Sequence, residues 1–223
     1  FKIEFMMRTP LALLVNDIHI SKDNIAEFQA NWAEMMSVCE DLDIDDVVIG
    51  GDLWTSRSAQ TLPTLLAVKS AILKATSKGL FLTIAEGNHC KTDQEALEGY
   101  SHLFDPYFNV KAVDVFEVMT REDCDIVLAV MSYFPENGSF VKHLNELKEE
   151  LTVRYKRDLS DVVLYIHEGI QGALGNFSVP NDLPVEIFND FNSVLVGHYH
   201  NRIELAGTDI MYIGSSRQGN FGE

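Results

Sequence analysis

Six short apolar runs rich in β-branched residues recur along the chain, at residues 11–15, 47–49, 80–85, 126–131, 162–166 and 194–196. Runs this short and this apolar read as strands buried on both faces. Helical patterns lie between the early ones. Ile25, Phe28, Trp32, Met35 and Cys39 recur at steps of three and four, and after Thr61 and Pro63 the set Leu62, Leu65, Leu66, Val68, Ile72 and Leu73 forms a second stripe. Strand alternating with helix predicts an α/β architecture. Residues 137–158 read as a charged, partly exposed helix, and residues 203–213 as a hairpin turning at Gly207.

With 223 residues, 46% of them hydrophobic, the chain can bury one large core, and residues 1–223 read as a single domain. No repeat, low-complexity tract or linker interrupts it. Cys39, Cys90 and Cys124 have no paired spacing, so neither a disulfide framework nor a zinc ribbon is expected, and a reducing compartment, the cytoplasm, is the simpler assignment. The apolar run at residues 11–15 is too short to span a bilayer, and no membrane association is expected. A net charge of −17 has the wrong sign for holding nucleic acid by neutralising phosphates. A site carrying two divalent cations reverses the local field, so the charge weakens a nuclease reading without removing it.

Polar clusters follow the strands, where short loops aim side chains into a crevice at the carboxyl ends of a sheet. They are Asp17-Ile18-His19, Gly51-Asp52, Gly87-Asn88-His89, His167 and Gly197-His198-Tyr199-His200. Taken singly, an Asp-x-His after a strand is ordinarily a cap or turn, and a lone His167 a satisfied core histidine. Together they place five of the chain's seven histidines at strand ends, which chance would not do. Carboxylate, carboxamide and imidazole donors without cysteine suit hard divalent ions such as Mn²⁺ and argue against a structural zinc site. Glycines at 50, 51, 87 and 197 would spare the donors a crowding Cβ.

This ordered set resembles the calcineurin-like metallophosphoesterase family over residues 11–216. The resemblance implies a metallo-dependent phosphatase-like fold: a four-layer αββα sandwich of two mixed β-sheets flanked by helices. It implies two divalent ions, Mn²⁺ foremost, with Mg²⁺, Fe or Zn²⁺ as alternatives. Asp17, His19 and His200 would hold one, Asn88, His167 and His198 the other, and Asp52 would bridge them. A hydroxide bridging the ions would attack phosphorus in line, with His89 as the catalytic residue beside the phosphate. Where the family motif commonly continues with an acidic residue after Gly-Asn-His, this chain has Cys90, which bears on how His89 is oriented and which reads as a small filler rather than a nucleophile.

Two stretches are similar to the SbcD-type DNA repair nucleases: residues 51–57 with Gln60-Thr61-Leu62, and the tail at residues 212–223. That similarity implies a DNA exonuclease or endonuclease, a coiled-coil SMC-like ATPase partner and a possible homodimer. In that group a capping domain and an ATPase-binding segment follow, so this chain is expected to be a piece of a longer one, the alternative being a single-domain relative. Arg57 and Arg217 are candidates for phosphate contacts or solvated surface residues, and Trp54 either packs on a base or fills core. Rival readings are a phosphodiesterase or phosphatase acting on small nucleotides or phosphorylated metabolites, and an inactive scaffold.

Overall fold

The computed structural model describes residues 10–122, 124–175 and 179–216. Within these, β1 (Leu13–Val15), β2 (Asp46–Gly50), β3 (Phe81–Ala85) and β4 (Val110–Val113) form a four-stranded sheet in that order, parallel throughout. Parallel neighbours need long crossovers, and two of these are helices: α1 (Ile25–Leu42) joins β1 to β2, and α2 (Leu62–Ser77) joins β2 to β3. Asp43, in the left-handed region at φ 55°, ends α1 by donating its N–H to the Cys39 carbonyl. The Thr61 side chain accepts from the Thr64 N–H and Pro63 stands in the first turn, which starts α2.

The second sheet has the order β5 (Phe116–Arg121), β6 (Cys124–Met131), β7 (Val162–His167), β8 (Ser193–Gly197), β10 (Ile210–Ile213), β9 (Arg202–Glu204). Its middle is parallel and both edge strands run antiparallel, so the mixed character of the fold lies here. β9 and β10 are the expected hairpin, with Gly207 at φ 78° in the turn.

Alternation along each strand sorts side chains into layers. Leu13, Val15, Val47, Ile49, Leu82 and Ile84 point outward to α1 and α2, where they meet Phe28, Trp32, Met35, Val68 and Ile72. Leu14, Val48, Ala85 and Val113 point inward and meet Leu128, Val130, Tyr165 and Leu195 of the second sheet. Val127, Ala129, Met131, Leu164, Ile166 and Val194 face outward again, under α3 (Phe140–Glu149) with its Phe140, Leu144 and Leu147. Helices, sheet, sheet and helix stack as the four layers of an αββα sandwich. Each fully buried aliphatic or aromatic side chain in them contributes about 1.5–3 kcal/mol.

Three expectations change in detail. The buried face of α2 is Ala67, Val68, Ala71, Ile72 and Ala75, with Leu65 packed beside it, while Leu62, Leu66 and Leu73 are exposed; the three alanines let the helix lie close on the sheet. Within residues 137–158 the helix α3 runs straight into a π turn at Glu150–Arg154, and a separate 3₁₀ turn follows at Leu159–Asp161. β4 and β5 were not anticipated. Both are edge strands whose apolar residues alternate with Lys111 or Glu117, so neither presents a continuous apolar run. Among the described residues no helix is long and apolar enough to cross a membrane.

Candidate metal centre

Every polar cluster sits at or just after the carboxyl end of a parallel strand, three in the first sheet and two in the second, with His167 the last residue of β7. The register aligns those ends: Val15 pairs with Ile49, Gly50 with Ala85, and His167 with Gly197. Tyr165 fastens the sheets together. Its hydroxyl lies 2.8 Å from Asn16 Oδ1 and 3.0 Å from the Val15 carbonyl, and its ring occupies the space a Cβ at Gly50 would need. Asn16 Nδ2 donates to the Gly214 carbonyl (3.2 Å) and to Asp17 Oδ2.

Two buried carboxylates are held in the same way. Asp17 Oδ2 accepts from the His198 N–H at 3.0 Å, and Asp52 Oδ1 accepts from the His89 N–H at 2.8 Å. Each acid therefore has one oxygen fixed by a backbone amide from another loop and one turned inward. Asp17 Oδ1, the inward oxygen, has no hydrogen-bond partner although it is buried. It lies 3.6 Å from His19 Nε2 and 3.7 Å from both His167 Nε2 and His200 Nε2. Asp52 Oδ2 lies 3.3 Å from His167 Nε2 and 3.6 Å from His19 Nε2.

The backbone is bent to achieve this. Asp17 (φ 52°), His19 (φ 48°), Asp52 (φ 48°) and His198 (φ 89°) are non-glycine residues in the left-handed region, each costing of order 1–3 kcal/mol that the surrounding packing offsets. Gly51 (φ 115°) and Gly87 allow the close approach: a Cβ on the first would stand 2.3 Å from His167 Nδ1, and on the second 2.2 Å from Asp52 Oδ1.

Burial works against charge on both acids, but the facing imidazoles, His167 first, outweigh it and hold Asp17 well below the usual carboxylate range and Asp52 below its ordinary value. Burial likewise opposes charge on His167, yet Asp52 and Asp17 raise it to about 9. Burial and that neighbouring charge push His198 down to about 4. Without a cation, then, a proton on His167 offsets part of the charge of the two carboxylates.

His167 Nδ1 lies 3.2 Å from the Gly50 carbonyl, which directs Nε2 into the site. One end of the Asn88 carboxamide lies 3.3 Å from His198 Nδ1 and 3.1 Å from Asp52 Oδ2. His89 stands beside this group, its ring edge-on to His19 at 5.3 Å. Its Nδ1 is 2.7 Å from the Thr55 carbonyl. With Ser21 and Thr55, the residues His19, Asp52, Asn88, His89, His198 and His200 line an open cleft of about 290 Å³.

Does this arrangement fit a divalent ion? An orphaned carboxylate oxygen ringed by imidazole nitrogens does, and donor atoms of Asp17, His19 and His200, and of Asp17, Asp52 and His167, lie within 4.8 Å of one another. The first group is the set expected for one ion. Around the second, Asn88 and His198 stand alongside, and Asp17 as well as Asp52 faces both halves.

Of the other candidates, Arg57 is exposed with Nη2 2.7 Å from the Asn88 carboxamide, whereas Arg217 lies outside the described residues. Trp54 fills core: it is wholly buried, its Nε1 donates to Ser101 Oγ at 3.2 Å, and it stacks on Phe104. Cys90 is wholly buried, with Sγ 3.8 Å from Asp52 Oδ1, and burial pushes its thiol well up. Neither can meet a substrate.

Sequence reasoning missed the supports. Asn16 braces Asp17, and the Thr55 hydroxyl (2.5 Å) and Asn24 Nδ2 (2.9 Å) both donate to the His19 carbonyl. Glu86, wholly buried before Gly87, accepts from the Ser101 N–H (2.8 Å) and the Ser101 hydroxyl (3.0 Å) and meets His102 Nδ1 at 3.2 Å. Asn16 and Glu86 were findable, because each is a polar residue directly ending an apolar strand.

No protein-family model matches the sequence, and no curated protein does. Among solved structures the chain is similar to the Pseudomonas putida nuclease MPE, at 19% identity and a TM-score of 0.44, covering 93% of this chain and 75% of that one. It is also similar to AQ665 from Aquifex aeolicus, a protein of unknown function, at 13% identity and a TM-score of 0.37, covering 72% of this chain and 81% of that one. Both scores are low, and the functional reading rests on the site itself.

Proposed function

We propose that this chain is a two-metal phosphodiester hydrolase of SbcD type, with DNA as its substrate and Mn²⁺ as its metal. The observation that carries the reading is the buried, unpartnered Asp17 Oδ1, ringed by Nε2 of His19, His167 and His200 at the meeting of the two sheets. Asp17, His19 and His200 would hold one ion and Asn88, His167 and His198 the other, with Asp52 between them. Divalent ions so held polarise phosphoryl oxygens and make a water nucleophilic at neutral pH.

The chain's own groups supply the rest. Because the Thr55 carbonyl engages His89 Nδ1, the atom His89 offers the cleft is Nε2, which in the protonated ring donates to a phosphoryl or leaving oxygen. Arg57 at the rim suits a non-bridging phosphate oxygen. The open cleft leaves room for a polymer, and residues 51–62 carry the likeness to DNA nucleases. A coiled-coil ATPase partner, a homodimer and a cytoplasmic setting belong to the same reading.

The net charge of −17 favours a second reading, hydrolysis of small nucleotides or phosphorylated metabolites. Incubation with single-stranded and duplex DNA, bis-p-nitrophenyl phosphate and p-nitrophenyl phosphate, each with Mn²⁺, Mg²⁺ and Zn²⁺, separates the two. DNA and diester cleavage strongest with Mn²⁺ is expected. Monoester turnover with DNA left intact overturns the nuclease, and failure to bind any of these ions overturns the phosphoesterase.

A further inference from the structure

The two ends of the Asn88 carboxamide stand in different surroundings. The inner end faces Asp52 Oδ2 at 3.1 Å and His198 Nδ1 at 3.3 Å; the outer end faces Arg57 Nη2 at 2.7 Å. An amide has a donor end and an acceptor end, and it satisfies these neighbours in one of two ways. With nitrogen inward it donates to Asp52, and its oxygen accepts from Arg57. Every partner is then met by protein alone. With oxygen inward it lies beside Asp52 Oδ2, another acceptor, and His198 Nδ1, an arrangement a cation favours, and its NH₂ is thrust against the donor Arg57, which must withdraw.

We propose that Arg57 is a positioning residue that latches Asn88 in the metal-free orientation, and that metal binding turns the amide and frees the guanidinium for the substrate phosphate. This rests on the proposed function only in taking Asn88 as a ligand. Arg57 is exposed, on the loop after Trp54, and its Nη2 already stands 2.7 Å from the Asn88 carboxamide, which lines the cleft. Metal and latch compete for one carboxamide oxygen, so each weakens the other by the same factor. The arrangement keeps the rim cation withdrawn until an ion has been loaded.

The experiment is calorimetric titration of the whole chain with Mn²⁺, without substrate, in wild type and in the Arg57→Ala and Arg57→Met variants. Losing a surface cation ordinarily weakens nothing or slightly favours cation binding through the net field, so a like-charge control, Arg202→Ala, sets that background. Arg202 is exposed and outside the ligand sets. One Mn²⁺ event is expected to tighten roughly three- to tenfold in both Arg57 variants over that control, the range of one charge-assisted hydrogen bond at an exposed rim. Affinities equal to the control, or weaker, overturn the latch. A second reading of the same switch comes from the Arg57 guanidinium NMR signal, expected to be protected in the metal-free protein and to exchange freely once Zn²⁺, a diamagnetic ion, is added; a signal unmoved by Zn²⁺ binding also overturns it. Absence of binding in all variants instead overturns the metal centre itself, so the two failures are distinguishable.

Discussion

His89 Nδ1 meets the backbone carbonyl of Thr55 at 2.7 Å, and the same threonine ties its hydroxyl to the His19 carbonyl at 2.5 Å. One residue thus fixes a ring at the cleft and a loop that carries a metal-ligand candidate. A main-chain carbonyl does here what an acidic side chain after Gly-Asn-His could have done. Cys90, at that position, is buried with its Sγ turned to Asp52 Oδ1.

Replacing His89 separates chemistry from metal binding. His89→Ala is expected to keep Mn²⁺ affinity within about threefold while lowering kcat by about 10²–10⁴-fold, the usual worth of a positioned acid or base. Asp52→Ala should instead lose metal occupancy, because both halves of the site face its Oδ2. Calorimetry beside steady-state kinetics decides, and a metal-free His89→Ala protein would show the roles to be wrongly divided.

Metal binding should release a proton. In the metal-free protein Asp52 and Asp17 raise His167 to about 9 against burial, so near pH 7 its Nε2 is protonated and must be stripped before it can ligate. Affinity for Mn²⁺ is therefore expected to rise with pH and to level off above about 9, climbing about tenfold per unit below that. Titration at pH 7 in two buffers of different ionisation enthalpy should return about one proton released per His167 site filled. Zero release would contradict the charge balance described above.

Gly87→Ala tests the close approach of two loops. The new Cβ would meet Asp52 Oδ1 at 2.2 Å and the Asp52 backbone nitrogen at 2.3 Å, and neither can retreat easily. A loss of about 1–3 kcal/mol in urea unfolding is expected, as for other overpacked sites, together with weaker Mn²⁺ binding. Gly87 is not in the left-handed region, so its cost comes from the close contact; Gly207→Ala, at φ 78° with no atom within 4 Å, would instead report left-handed strain without a contact.

His102 supports the loop that carries Asn88 and His89. Its hydrogen bond to Glu86, and then that to Asp114, outweigh burial and raise it to about 9 from an ordinary 6.5. The stability this gives is fully present below about 6.5 and is lost as pH rises through about 9. His102→Gln should accordingly cost about 1–2 kcal/mol near pH 7, after allowance for solvent, and much less near pH 10. An equal cost at both values would mean the ring acts by packing rather than by charge.

The sequence revealed the strand ends more clearly than the layers. Residues such as Leu14 and Val48 announce burial, yet which sheet covers them depends on how two sheets face each other, and no local pattern carries that. All the candidate donors from Asp17 to His200 lie together because apolar strands must end and polar loops must follow, a rule that is visible residue by residue. Thr55 was invisible for the opposite reason: its contribution to His89 comes from a main-chain carbonyl, which every residue has. The exposed leucines of α2 misled because a 3.6-residue period identifies a stripe, while close helix-to-sheet packing selected the alanine side instead.

The first sheet is made wholly from the chain up to Val113 and the second from Phe116 onward. Asp17, His19, Asp52, Asn88 and His89 therefore belong to one contiguous half, and His167, His198 and His200 to the other. Neither fragment owns a complete coordination set. Each half pairs its own strands, but the donors meet only where the halves dock, so a site able to hold an ion exists only once both sheets are packed together. An ion held by Asp17 and His200 would act as a rivet between halves that the backbone joins at a single crossing.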